Sequence, residues 1–130
     1  MKSDDRYRLD EFELYRHARE FRKKTYRLIR QLPPQERYCL DPQMRRASVS
    51  VTNNLAEGHG RWQYREFARF CRISRGSVAE LVDDFHTCAD EQYGDQRLVA
   101  ELLSDAYDLI QRINGYITYL QRSQQGIDFP

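Results

Sequence analysis

The sequence predicts an all-α protein, an up-down antiparallel four-helix bundle formed by one domain that spans residues 1–130. Three observations predict this fold class. Apolar residues recur every three or four positions through four long segments, which is the period of a helix buried on one side. No segment has the alternation of a strand. The helical segments are separated by short stretches rich in breakers, at 32–42, 58–63 and 93–96, and short connections favour antiparallel neighbours.

The first two helices are predicted over about residues 11–31 and 42–57. The first carries one narrow apolar stripe, and the two prolines that follow it end it because proline cannot continue a helix. We expect the second to begin at Asp41-Pro42, with Asp41 as N-cap and Pro42 in the first helical position. The inner side chains of this helix are mostly small, which indicates that a neighbouring helix approaches closely.

The stretch NNLAEGHGR, residues 53–61, raises a choice between a phosphate-binding loop and the end of the second helix. A phosphate-binding glycine loop precedes a helix and usually follows a strand, whereas here a helix comes first. We therefore expect a helix-ending turn, in which Gly58 adopts the left-handed conformation and Gly60 provides a second joint. The third and fourth helices follow over about residues 64–91 and 97–121.

Composition places the chain among globular proteins, with 40% hydrophobic and 32% charged residues. No apolar run approaches the roughly 18 residues of a membrane span, so we expect no membrane partner. The N-terminus lacks the apolar stretch of a secretory signal. Cys39, Cys71 and Cys88 are odd in number and form no CxxC pair, which is typical of reduced thiols in a cytoplasmic protein.

The sequence contains no motif that predicts catalysis, a cofactor or a metal ion. It has no HExxH, GxSxG, P-loop or dinucleotide-binding pattern. His17, His59 and His86 are far apart in sequence. Asp83 and Asp84 precede His86 on one helix but point in different directions, which argues against acid–base chemistry. We expect a protein that is not an enzyme, with no cofactor and no metal.

Charge is unevenly distributed, although the formal net charge is only +1. Residues 14–30 contain seven Lys and Arg against one acid, and residues 42–75 contain seven against two. Residues 76–108 contain nine acids against one Arg. A basic half is therefore joined to an acidic half, and this asymmetry matters more for choosing partners than the total charge.

Basic residues on helix faces suggest a nucleic-acid surface. On the first helix they lie opposite the apolar stripe, with Phe12, Tyr15 and Tyr26 expected among them on the outer side. Cations release counterions from phosphates, and rings can stack on unpaired bases. The alternative is a solvated face whose tyrosines pack against loops. The nucleic-acid-binding candidates are Arg16, Arg19, Lys23, Arg27, Arg30, Arg45, Arg46, Arg61, Arg65, Arg69 and Arg72.

The outer face of the third helix is basic in its first half and acidic in its second, with a glycine between the halves. Such a face can dock head-to-tail on a copy of itself, and the contact closes into a ring if the rotation allows. The alternative is two independent solvated patches. The oligomer-interface candidates are Gly76, Glu80, Asp83, Asp90 and, on the fourth helix, Gly115.

Two stretches, YCLDPQMRRASVSVTNNLAEGHGR (38–61) and EFARFCRISRGSVAEL (66–81), resemble a family of small bacterial four-helix-bundle proteins. The family comprises proteins encoded in intervening sequences of 23S rRNA genes and the accessory variability proteins of diversity-generating retroelements. The resemblance covers about residues 9–122. It implies a homopentameric ring and, in the retroelement branch, binding to nucleic acid and a reverse transcriptase. Carried over to this chain, the basic positions are Arg45, Arg46, Arg61, Arg65, Arg69 and Arg72.

Two functions remain open. The first is a non-enzymatic, ring-forming module that binds structured RNA or DNA through its basic helix faces. The alternative is a protein-interaction scaffold, in which the same charges serve self-assembly and a protein partner. A helix-turn-helix DNA reader at 44–75 is a weaker third hypothesis, because the turn is longer than that motif allows.

Overall fold

The computed structural model describes residues 8–61 and 63–124, and in these residues all regular structure is helical. Two single turns of 3-10 helix, Leu9–Glu11 and Pro34–Glu36, accompany four long helices. The long helices are α1 (Glu13–Ile29), α2 (Leu40–His59), α3 (Tyr64–Glu91) and α4 (Gln96–Gln124). The predicted number and order of helices are confirmed.

The four helices form a square bundle in which each packs mainly against two others. α3 packs against α2 and α4, and α1 completes the square by packing against the same two helices. α1 and α3 consequently occupy opposite corners, and their outer faces point away from each other. This confirms the all-α four-helix bundle.

The core is built from apolar side chains of all four helices. Leu28 of α1, Leu55 of α2, Phe85 of α3 and Ile113 of α4 are each less than 2% exposed. Phe21 meets Phe85 edge to face, with ring centroids 6.2 Å apart. Complete burial of a large apolar side chain contributes about 1.5–3 kcal/mol, so this shared core is what holds the helices together.

Small side chains let α2 and α3 approach closely, as the sequence indicated. The Ser74 hydroxyl donates to the Val51 carbonyl at 2.7 Å, and the Ser50 and Ser77 hydroxyl oxygens lie 2.7 Å apart. Asp84 is 2% exposed and accepts a hydrogen bond from the Gln43 amide at 2.6 Å. Buried polar groups need such partners, and these contacts fix the register of the two helices.

The predicted start of α2 was wrong by two residues. α2 begins at Leu40, and its N-cap is Cys39 rather than Asp41. The Glu36 carboxylate accepts the Leu40 backbone N–H at 3.3 Å. An acidic side chain from the preceding 3-10 turn therefore supplies a hydrogen-bond acceptor for the first turn of α2. Asp41 lies in the first turn and pairs with Arg45 at 2.7 Å.

The predicted left-handed conformation of Gly58 was also wrong. Gly58 is buried inside the last turn of α2, and the helix ends one residue later, at His59. A methyl group at Gly58 would lie 2.7 Å from Phe67 Cδ1 and 3.0 Å from Phe70 Cβ. The position requires glycine because the first turns of α3 cross there. In the described residues, positive φ occurs instead at Gln92 and Gly94, after α3.

Phe12 was expected on the outer face of the first helix, but it is buried. It precedes α1 in an extended conformation and is 8% exposed. Its ring stacks on His59 at 4.8 Å and meets Phe67 edge to face at 5.7 Å. Burial lowers the pKa of His59, which favours the neutral ring. Tyr15 and Tyr26 are likewise partly buried against the core, so these three rings are not an exposed stacking surface.

No helix in residues 8–61 and 63–124 has both the length and the apolar character needed to cross a membrane. In the same residues, no group of three or more His, Cys, Asp or Glu side chains is placed to hold a metal ion.

Candidate nucleic-acid interface

The outer face of α1 carries a continuous row of exposed cations, which we call the α1 basic stripe. Its members are separated by three or four residues, so they lie one above another on the helix. From first to last the row covers about 21 Å, at 1.5 Å per helical residue. The stripe consists of Arg16, Arg19, Lys23, Arg27 and Arg30.

The arginines of the α1 basic stripe form no ion pair with an acid among residues 8–61 and 63–124. In the stripe, only Lys23 has a carboxylate within 4.0 Å among the described residues, that of Glu20 at 3.5 Å. The four guanidiniums therefore need break no ion pair in order to meet a ligand. Exposed cations of this kind attract phosphates and release condensed counterions when they bind.

A mixed-charge groove borders the stripe on its α4 side. A cavity of about 730 Å³ lies there, with the Phe21 and Leu109 side chains among its apolar lining. Lys24 bridges Glu101 at 3.0 Å and Asp105 at 2.9 Å, and these contacts raise the pKa of Lys24. The acidic half of the sequence thus neutralises the flank of α1 and leaves its outer face basic. Lys24 was not among the candidates, because a pairing between α1 and α4 has no local sequence signal.

The two candidates on α2, Arg45 and Arg46, differ in whether they form an ion pair with a described residue. Arg45 pairs with Asp41, and its guanidinium lies 5.3 Å from the centre of the Tyr26 ring. Arg46 is exposed and has no ion pair within the described part of the chain. Of the two, Arg46 is the side chain available to a phosphate.

The candidates at the start of α3 also include some that form an ion pair with a described residue and some that do not. Arg61 pairs with Glu57 at 2.8 Å, and Arg69 pairs with Glu66 at 3.2 Å. The hydrogen bond from Arg69 is the main cause of the lowered pKa of Glu66. Arg65 and Arg72 are exposed and form no ion pair with any described residue.

The structure therefore does not bring the basic candidates together into one patch. The α1 basic stripe occupies one corner of the bundle, and the α3 arginines occupy the opposite corner. Sequence reasoning found both helix faces from their periodicity. It could not show that they point in opposite directions, since that depends on the order in which the helices pack.

The oligomer-interface candidates lie on the α3 corner, and Gly115 lies beside them on α4. Arg75 donates to the Asn114 side chain at 2.7 Å, so the residues that precede Gly76 and Gly115 are in contact across α3 and α4. A methyl group at either glycine would meet no atom of a described residue within 4 Å. Packing among the described residues does not explain these glycines. The acidic candidates Glu80, Asp83 and Asp90 are all exposed.

A solved structure has the same fold. It is a protein of unknown function from the S23 ribosomal protein family of Bacteroides thetaiotaomicron. The alignment has a TM-score of 0.73 and 15% sequence identity, and it covers 80% of this chain and 97% of that one. No curated protein matches the chain.

A family match settles the membership that the quoted stretches suggested. Residues 10–115, most of the chain and all of α1, α2 and α3, match the family described as 23S rRNA-intervening sequence protein. The matched region contains the α1 basic stripe and the NNLAEGHGR segment. The chain belongs to the 23S rRNA-intervening sequence protein family.

Proposed function

We propose that this protein is a non-enzymatic module that binds nucleic acid through the α1 basic stripe. The observation that carries the proposal is the row of four exposed guanidiniums on one helix face, none of which forms an ion pair with a described carboxylate. The family's name refers to an intervening sequence of 23S rRNA, which makes structured RNA the first ligand to test and duplex DNA the second.

The α1 basic stripe suits a phosphate backbone better than a small acidic ligand. Its cations extend over about 21 Å, whereas a small anion would contact one or two of them. Nucleic acid presents closely spaced charges over the same length, and each neutralised phosphate releases counterions. Binding of this kind depends on backbone shape and salt, so it requires no catalytic group.

The test is fluorescence anisotropy with nuclease-treated protein and labelled structured RNA or duplex DNA. Five phosphate contacts predict that affinity falls several hundredfold between about 50 and 200 mM salt. A triple variant, Arg19→Gln, Arg27→Gln and Arg30→Gln, should bind more weakly at low salt. Its salt slope should be smaller by about one for each arginine removed.

The control is Arg75→Gln on α3, at the corner opposite the stripe, whose guanidinium donates to the Asn114 side chain at 2.7 Å. We expect this variant to bind like the wild type. Equal losses in the control and the triple variant, or no binding to either ligand at low salt, would contradict the proposal.

The second candidate function is a protein-interaction scaffold that first assembles with itself. The bare surface at Gly76 and Gly115 favours it, together with the opposite charges at the two ends of α3. A homopentameric ring is the assembly that the family resemblance implies, and a reverse transcriptase is the protein partner implied by its retroelement branch. Recovery of a protein partner after nuclease treatment, with no affinity for nucleic acid, would favour this function.

We also propose a cytoplasmic location. Cys39, Cys71 and Cys88 are all free thiols, and free thiols are the usual state of cysteine in a reducing compartment. Fractionation of cells that express the protein at its natural level would test the location.

A further inference from the structure

The NNLAEGHGR segment forms one wall of a shallow surface cavity of about 820 Å³ at the C-terminal end of α2. Phe70 of α3 forms part of the opposite wall. None of the α1 basic stripe lines this cavity, so it is separate from the surface proposed to contact phosphates. We call it the α2–α3 cavity.

The Phe70 ring and the Arg61 guanidinium line the cavity, and the Arg69 guanidinium packs against the same ring. The Cζ atoms of Arg61 and Arg69 lie 5.4 and 4.6 Å from the centre of the Phe70 ring. The ion pairs with Glu57 and Glu66 restrict these two guanidiniums in that position. Guanidinium planes and aromatic rings are the groups on which unstacked nucleobases pack.

The charge at the cavity favours a neutral ligand over a phosphate. The two guanidiniums are matched by the two carboxylates of their ion pairs, so the local formal charge is close to zero. The C-terminal end of α2 adds a partial negative charge from its carbonyl groups. A phosphate would gain little electrostatic stabilisation here, whereas the binding of an uncharged planar heterocycle does not depend on a net positive charge.

Unused hydrogen-bonding groups are also present at the cavity. Asn53 is exposed, and its side-chain amide has no partner among the described residues. The Asn54 NH₂ group donates to the Ser50 carbonyl at 2.8 Å and lies 3.0 Å from the Ser50 hydroxyl, which leaves its Oδ1 as an acceptor. An asparagine amide presents a donor beside an acceptor, which is the complement of N7 and N6 on adenine.

We propose that the α2–α3 cavity binds an unpaired adenine base of single-stranded RNA. The base stacks against the Arg61 and Phe70 surface, and the Asn53 amide pairs with its N7 and N6 edge. The inference rests on the proposed function, because the base arrives as part of a strand whose phosphates the protein attracts elsewhere. The adenine site would add a preference for one base to a protein whose α1 basic stripe attracts phosphates of any sequence.

The experiment compares labelled single-stranded A12 and U12 RNA, which have equal length and equal charge. We expect the wild type to bind A12 at least about fivefold more tightly than U12, in keeping with one bidentate base contact. Asn53→Ala should remove most of this preference by weakening A12 binding while leaving U12 binding unchanged. Gln111→Ala, an exposed polar residue on α4, is the matched control and should behave like the wild type.

The outcomes separate this inference from the proposed function. Equal binding of the two oligomers, or a preference for A12 that survives in Asn53→Ala, overturns the adenine site and leaves phosphate binding in place. If the wild type has no affinity at low salt for either oligomer or for structured RNA, the proposed function is contradicted, and the adenine site is contradicted with it. A preference for A12 that disappears in Asn53→Ala but persists in Gln111→Ala supports the site.

Discussion

Gly58 and Gly76 are both helical glycines, but the space around them differs. A methyl group at Gly58 would collide with Phe67, whereas a methyl group at Gly76 would meet no atom of the described residues within 4 Å. Gly58→Ala should therefore destabilise the protein by about 1–3 kcal/mol through overpacking. In the isolated protomer, Gly76→Ala should raise stability by up to about 1 kcal/mol, because alanine is the better helix former. Urea unfolding of the two variants measures both effects, and equal changes would contradict this account.

Asp84 should make stability depend on pH. Burial is the main cause that raises the pKa of this carboxyl to about 6, and the charges of Asp83 and Glu80 add to the rise. The Gln43 amide, which faces it from α2, acts in the opposite direction. Since the folded pKa lies above the ordinary 3.8, the stabilising contribution is complete below about pH 4 and is lost as pH rises through about 6.

Asp84→Asn removes this titration and serves as the test. A rise in the pKa from 3.8 to about 6 corresponds to about 3 kcal/mol, so the variant should gain up to that amount relative to the wild type between pH 4 and pH 8. The measurement is the free energy of urea unfolding at the two pH values. Parallel pH profiles for the variant and the wild type would show that Asp84 does not titrate as described.

At the scale of the helix, the apolar period predicted the four elements and most inner side chains, because burial on one side imposes that period. The ends were less predictable. The start of α2 depends on Glu36, an acceptor from a 3-10 turn that has no sequence signature here. Phe12 lies just before α1, where a helical wheel no longer describes side-chain direction. The α1 basic stripe was predictable for the same reason as the core, since it is the opposite side of the same period.

The α2–α3 cavity was not predictable from the sequence. The NNLAEGHGR segment is conspicuous in the sequence. The cavity that it lines also needs Phe70, however, and the helical period predicts that Phe70 is a core residue. Phe70 is only partly buried, and it lines the cavity. The helical period places a residue on one side of its helix, but it does not show how fully a neighbouring helix covers that residue.

At the scale of the whole molecule, the opposite corners of the bundle can serve two functions together. Head-to-tail contact through α3 would leave the α1 basic stripe exposed, because that stripe faces the other way. Arg65 and Arg72 are left for a neighbour, since Arg69 pairs with Glu66 and Arg75 donates to Asn114 within the described residues. Assembly and phosphate binding need not compete for the same cations.

Charge reversal tests the head-to-tail contact. Asp83→Arg should weaken assembly, because it places like charges opposite each other between copies, and combining it with Arg72→Glu should restore assembly. Light scattering at low and moderate salt gives the mass of each variant. The control is Asp108→Arg on α4, a reversal outside α3 that should leave the mass unchanged. A monomeric wild type, or a double variant no better assembled than Asp83→Arg, would contradict the contact.

The three thiols differ sharply in access. Burial raises the pKa of Cys71 to about 12 and that of Cys88 to about 11, whereas Cys39 is exposed at the start of α2. A maleimide dye, which reacts with thiolates, should therefore attach at one position without any cysteine being replaced. That position lies about 21 Å along α2 from Asn53, at 1.5 Å per residue. Energy transfer from a dye at Cys39 to a labelled oligonucleotide would therefore measure how closely the oligonucleotide approaches the C-terminal end of α2.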